Sequence, residues 1–234
     1  MTDISKTADK VLAALQSLGE GHPMTPTQMA LRLGESRTVA QRVLTTLLDS
    51  GLVVRSGGSY ALSSQVRQLA DMVQPRLRSV VSQETVSLSH SLRETVIFQI
   101  PDGGYAVVLE QHLASEKATL QVRHDIGSRS PLTETASGLA ILAARAPASA
   151  RAVSQDARHP SVAAALQKTR DAGFAVTSEG LQAGVSGMAI GVRHHGAVMG
   201  SLAVLVPSFR EVDLAGYREP LAQAARRIEK ALDG

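Results

Sequence analysis

The 234-residue chain has no cysteine, no tryptophan and only six other aromatic residues, three Tyr and three Phe. Without cysteine there is no disulfide framework, no thiol nucleophile and no thiolate metal site. That absence fits a reducing compartment. With so few aromatic residues, there are no rings to spare for stacking single-stranded bases. The core must instead be built from Leu, Val, Ile and Ala. No run approaches the roughly 20 apolar residues of a membrane span, and Met1–Lys6 holds no apolar signal core. These features lead to the expectation of a soluble, cytoplasmic protein that touches no membrane. No phosphate loop or dinucleotide fingerprint is present, so no cofactor is expected. The net charge of +3, from 24 basic and 21 acidic residues, is too small to indicate a nucleic-acid partner by itself.

What is present is a strong local order. Val11, Leu12, Leu15 and Leu18 form one face of a first helix, which ends at Gly19-Glu20-Gly21. Thr25-Pro26 supplies an N-cap and an N1 proline for a short helix carrying Met29, Ala30 and Leu33. Ser36 caps a third helix with Val39, Val43, Leu44, Leu47 and Leu48 at three- and four-residue steps, closed by Asp49-Ser50-Gly51. Leu52–Arg55 and Ser59–Leu62 then read as a hairpin around Ser56-Gly57-Gly58. Three helices followed by a glycine-turn hairpin are the order of a winged helix-turn-helix.

Helical periodicity continues over 63–74 and, beyond Pro75, over about 76–93. Past that point strands are expected at Thr95–Ile100, Tyr105–Gln111, Ala118–Val122, Phe174–Thr177, Gly187–Arg193 and Ala197–Val206. Helices are expected from near Thr135 to Ala144, over Val162–Ala172, and from near Asp213 to the end. The turns at 101–104 and 194–196 imply antiparallel pairing.

The outward face of the third helix bears Arg37, Thr38, Gln41, Arg42 and Thr45. Their spacing forms one polar strip. Arg pairs with guanine or phosphate, Gln with adenine, and Thr with phosphate or a thymine methyl. Ser36 opens that helix. Thr25 and Thr27 open the preceding one, where free amides and hydroxyls suit a phosphate. Arg55 lies at the wing. From residue 32 to 67 there are five Arg against two acids, Glu35 and Asp49. Double-stranded DNA is the partner this pattern points to. A winged helix that docks a protein is the competing reading, and salt-dependent gel shifts separate the two.

The segment Leu33–Leu47, followed by Gly51-Leu52-Val53, resembles the recognition helix of the IclR family of bacterial regulators, with Arg42 and Leu44 matching and Thr38-Val39 in place of a Ser-Thr pair. Ile126-Gly127…Pro131-Leu132, Thr135-Ala136-Ser137-Gly138-Leu139-Ala140, Gly173-Phe174-Ala175-Val176 and Glu179…Gly184-Val185 are similar to further family segments, in the same order. The resemblance implies an α/β (α+β) protein: a winged helix-turn-helix over 1–62, a helical linker over 63–80, and a GAF-like antiparallel sheet flanked by helices over 81–234. It also implies a homodimer or homotetramer on a pseudo-palindromic operator and a small organic acid effector cupped on the sheet.

Physically, Thr135, Ala136, Ser137 and Gly138 open a helix whose amides suit a carboxylate. A well-capped core helix has the same sequence. By resemblance, Leu120, Val122, Thr177, Gly187, Met188, Ala203 and Leu205 complete the pocket. Gly187 stands where many members have Cys, and Ala203 and Leu205 where members binding small keto acids carry hydroxyls. The resulting expectation is a larger, more apolar effector acid.

Two other motifs are weighed. Gly184-Val185-Ser186-Gly187-Met188 nearly spells a hydrolase nucleophile elbow but leads into a strand, so no enzyme activity is expected. His194-His195 hints at a metal. Neighbouring strand residues point to opposite faces, so hairpin surface and no metal is the expectation.

Overall fold

The computed structural model describes residues 5–113, 122–145, 159–178, 184–210 and 213–233. They fall into two compact units, Met1–Pro75 and Arg76–Gly234.

The first unit opens with α1 (Lys6–Gly19), α2 (Pro26–Leu33) and α3 (Arg37–Asp49). Each helix starts where local chemistry dictates. Ser5, Thr25 and Ser36 are N-caps, and Thr25 with Gln28 forms a reciprocal capping box. Gly34 ends α2 in the left-handed conformation. Ala14, Leu18, Met29, Ala40, Val43, Leu44 and Leu47 are buried together, with Val53 and Tyr60 of the wing. The wing is β1 (Val53–Ser56) paired antiparallel to β2 (Ser59–Leu62). Its turn is only two residues long. Gly57 and Gly58 both take positive φ, as a tight right-twisted hairpin requires. Met24, just before α2, bridges to Tyr60 through two backbone hydrogen bonds of 2.9 and 2.8 Å. α4 (Ser64–Asp71) follows with no buried residue. α5 (Pro75–Leu92) begins at Pro75, so this proline starts a helix rather than merely interrupting one.

The second unit is a six-stranded antiparallel sheet, ordered β5-β4-β3-β8-β7-β6. The strands are β3 (Thr95–Asp102), β4 (Tyr105–His112), β5 (Arg129–Pro131), β6 (Ala175–Ser178), β7 (Val185–His194) and β8 (Ala197–Pro207). Helices α6 (Ala136–Ala144) and α7 (Pro160–Ala172) cover one face. There Ile97, Ala189, Ala203 and Leu205 meet Ala136, Leu139, Ala140 and Ala143. Helix α5 and the final helix α8 (Arg218–Asp233) cover the other. There Val96, Phe98, Met188, Leu202 and Val204 meet Leu77, Val81, Leu221 and Ile228. Burial on both faces explains why β8 is almost continuously apolar. Each fully buried Leu, Met or Phe contributes about 1.5–3 kcal/mol.

Several expectations are corrected. Most of the strand expected at Ala118–Val122 lies outside the described residues, and Val122 is buried but not in a strand. The three-residue β5 was not expected. Asp213 caps a single 3-10 turn, Leu214–Tyr217, and the last helix starts only at Arg218. The histidines of the β7–β8 turn do not diverge. His195 leaves the strand with φ 48°, and its ring lies 4.0 Å from that of His194.

Candidate DNA-reading face and effector pocket

On α3, Arg37, Thr38, Arg42 and Thr45 are exposed, opposite the buried Ala40, Val43 and Leu47. Arg55 on the wing is exposed as well. Among the described residues, none of these three arginines is in an ion pair, whereas Glu35 is bound to Lys10 at 2.5 Å and Arg32 to Glu20. The α3 ridge and the wing therefore present three arginines free of ion pairs among the described residues.

Gln41 differs from its neighbours on the strip. It is half-buried, and its side-chain amide donates to the Tyr60 hydroxyl at 3.0 Å. Tyr60 is almost fully buried, and the Arg55 guanidinium sits 5.6 Å from its ring centre. Tyr60 thus joins the ridge, the wing and the start of α2. Sequence reasoning placed it only as a strand residue, because Gln41 and Met24 are distant from it in the chain. The Ser36 hydroxyl accepts from Val39 N at 3.3 Å. The Thr25 hydroxyl accepts from Gln28 N at 3.3 Å and donates to Gln28 Oε1 at 2.9 Å. Both hydroxyls act as caps, and Thr27 is the exposed hydroxyl of that helix start.

The second site lies at the first turn of α6. Thr135 Oγ1 accepts from Gly138 N at 3.1 Å. Thr177 Oγ1, reaching across from β6, accepts from Ala136 N at 3.1 Å. Between these two amides, the N–H of Ser137 has no partner among the described residues. Gly138 lets the helix approach closely, since a Cβ there would lie 2.4 Å from the Leu132 carbonyl oxygen. The small residues therefore serve packing as well as the pocket.

A cavity of about 50 Å³ opens beside this turn. Thr135, Ala136, Ser137, Thr177, Gly187 and Leu205 line it, as do Ile97, Gln99, His124, Ser130 and Val185. The last five were not anticipated. They come from strands and loops far apart in sequence, which only the sheet order brings together. Ser130 Oγ is buried and has no hydrogen-bond partner. Burial lowers the His124 imidazole below its usual range, against a weaker pull from Asp125, which favours the neutral ring. Gln99, His124 and Ser130 add polar groups to the lining beyond those of Thr135, Ser137 and Thr177.

Met188 is also corrected. It faces the α5–α8 side and packs in that core, because its neighbour Gly187 faces α6. Ala203 and Val122 are buried on the α6 side without lining the described cavity. Leu120 lies outside the described residues. Ser186 sits within β7, paired to Ser178 and Val206. A strand interior is not the strand-to-helix turn that presents a nucleophile.

Comparison with known proteins completes the picture. Residues 70–230 match the domain described as bacterial transcriptional regulator IclR C-terminal, and residues 7–57 match the IclR helix-turn-helix domain. Over 237 residues the chain is 25% identical to the HTH-type transcriptional regulator KdgR of Escherichia coli, covering 94% of this chain and 89% of that protein. Over 139 residues it is 31% identical to the HTH-type transcriptional regulator Rv1719 of Mycobacterium tuberculosis, covering 58% of this chain and about half, 53%, of that relative. The fold matches a crystal structure of an IclR homolog from Microbacterium hydrocarbonoxydans complexed with 4-hydroxybenzoate, with a TM-score of 0.80, 21% identity, and coverage of 97% of this chain and 99% of that one. The chain belongs to the IclR family of bacterial transcriptional regulators: it is a DNA-binding helix-turn-helix regulator and not an enzyme.

Proposed function

We propose that the protein binds a pseudo-palindromic operator as a homodimer, alone or paired into a tetramer, and that a small organic acid seated at the α6 first turn controls this binding. The observation that carries the DNA half is the exposed ridge of Arg37, Thr38, Arg42 and Thr45 on a helix whose other face is core. Two such helices about 34 Å apart enter successive major grooves on one side of the duplex. Apolar side chains support self-association: Leu12 on α1 is 58% exposed, and Leu69 on α4 and Met72 just after it are 59% and 74% exposed. Residues 1–62 act as the DNA module, 63–80 as the helical linker and 81–234 as the sensor. The site of action is the cytoplasm. No helix among the described residues is long and apolar enough to cross a membrane.

For the effector, the Ser137 amide at a helix N-terminus suits a carboxylate. Ser130, Gln99 and neutral His124 offer hydrogen bonds to a second polar group on the same ligand. This favours a hydroxy- or oxo-substituted acid over a purely aliphatic one. The 4-hydroxybenzoate held by a protein of the same fold is an acid of that kind. The effector acts only through different affinities for the DNA-competent and DNA-incompetent arrangements.

Gel shifts on duplexes from the regulator's own upstream region, run at stepped salt, test the DNA half. Binding that weakens steeply with salt supports it, and no binding to any duplex at low salt overturns it. A panel of hydroxy acids added to the preformed complex tests the sensor half.

A further inference from the structure

We propose that His194, His195 and Asp233 form a binding site for a divalent transition cation of the zinc class, separate from both the DNA ridge and the effector pocket. The site is assembled by the turn between β7 and β8. His194 is the last residue of β7 and pairs with Ala197, which leaves a two-residue turn of His195 and Gly196, both at positive φ. That conformation swings the His195 ring back beside His194 instead of to the opposite face. A register irregularity between Val192 and Arg193 precedes it, and bulges of this kind re-aim the side chains that follow.

The third group comes from the other side of the recess. Asp233 stands in the last turn of α8, and its Oδ1 lies 3.5 Å from His194 Nδ1 and 3.5 Å from His195 Nε2. All three candidate ligand atoms lie within 4.8 Å of one another. Ligand bonds of about 2.0–2.1 Å in tetrahedral geometry put neighbouring ligand atoms about 3.3–3.4 Å apart. Two edges of such a tetrahedron are thus nearly in place. Rotation of the His195 side chain, which is 77% exposed, closes the third. Two imidazoles and one carboxylate are the donors of a zinc-class ion, while magnesium and calcium prefer oxygen alone.

The surroundings hold this frame and favour a cation within it. Glu229, one helical turn before Asp233, accepts the backbone N–H of Arg193 at 2.8 Å, which fixes the end of β7 against α8. Arg193, Lys230 and Glu229 border the same recess. Asp233 also sits at the negative end of the α8 dipole, where a carboxylate is disfavoured unless a cation neutralises it.

The test is zinc titration of the untagged full-length protein by calorimetry, with cobalt(II) spectroscopy reporting coordination. The expected result is one equivalent per chain with a four-coordinate cobalt spectrum. Affinity should fall at least about tenfold, the lower end of the loss seen even for outer-shell partners, in both His195→Ala and Asp233→Asn. It should be unchanged in His90→Ala, a control at another histidine pair, whose ring lies 5.2 Å from that of His112. No zinc binding, or equal binding in all these variants, would overturn the proposal. Because Asp233 is 58% exposed, its substitution leaves the fold intact. DNA affinity plays no part in the readout.

Discussion

The side-chain amide of Gln41 on the recognition helix donates to the hydroxyl of Tyr60 in the wing, at 3.0 Å. One buried phenol therefore sets the angle between the two elements expected to touch DNA. Tyr60→Phe removes the acceptor. The loss should be about 0.5–1.5 kcal/mol in urea unfolding, with weaker operator binding and an unchanged salt slope, since no phosphate contact is lost. An unchanged operator affinity would show that the ridge is positioned without the wing.

Arg42→Ala should behave differently. Arg42 is exposed and unpaired, so folding stability should stay within about 0.5 kcal/mol. If it meets a phosphate, the slope of log affinity against log salt should shrink by about 1. Gel shifts across a salt series measure this. Weaker binding with a constant slope would point to a base contact instead.

At the sensor, Thr177→Val leaves the Ala136 amide without its 3.1 Å acceptor. A buried unsatisfied donor costs about 1–3 kcal/mol. Calorimetric titration with whichever hydroxy acid releases the DNA should show weaker binding in this variant. Gly138→Ala drives a Cβ to 2.4 Å from the Leu132 carbonyl oxygen. Overpacking of this kind costs about 1–3 kcal/mol, and a lowered urea midpoint would register it.

The alkaline limb of stability should carry the mark of Tyr217. Its hydroxyl donates to Glu94 at 3.0 Å, and Arg210 binds the same carboxylate at 2.9 Å. Burial, then the charge and hydrogen bond of Glu94, push this phenol up to about 12, against a smaller opposing pull from Arg210. An unfolded tyrosine titrates near about 10. Because the folded value is the higher one, the contribution is complete below about pH 10 and is lost as pH rises through about 12. Between those values the parent protein should lose more stability than Tyr217→Phe in denaturant melts.

Which features the sequence showed depends on how far each one reaches along the chain. The caps at Thr25, Ser36 and Thr135 are local chemistry, and all three cap the helices expected of them. The α3 face was legible because helical periodicity separates Val43 and Leu47 from Arg42 and Thr45. Gln99, Ser130 and His124 were not legible as a set, because sheet order brings them together. β5, at three residues, is too short to show alternation. Met188 came with Gly187 from the resemblance, but neighbouring strand residues face opposite sides, so Met188 packs against α5 and α8. The strand rule points the rings of His194 and His195 apart, but a positive φ at His195 brings them together in the turn.

Among the described residues, the two strands at the margins of the sensor sheet are its shortest, three residues in β5 and four in β6. A passing extended segment finds too few open amides there to zip onto the sheet. Edges this short disfavour the addition of a further strand from another molecule.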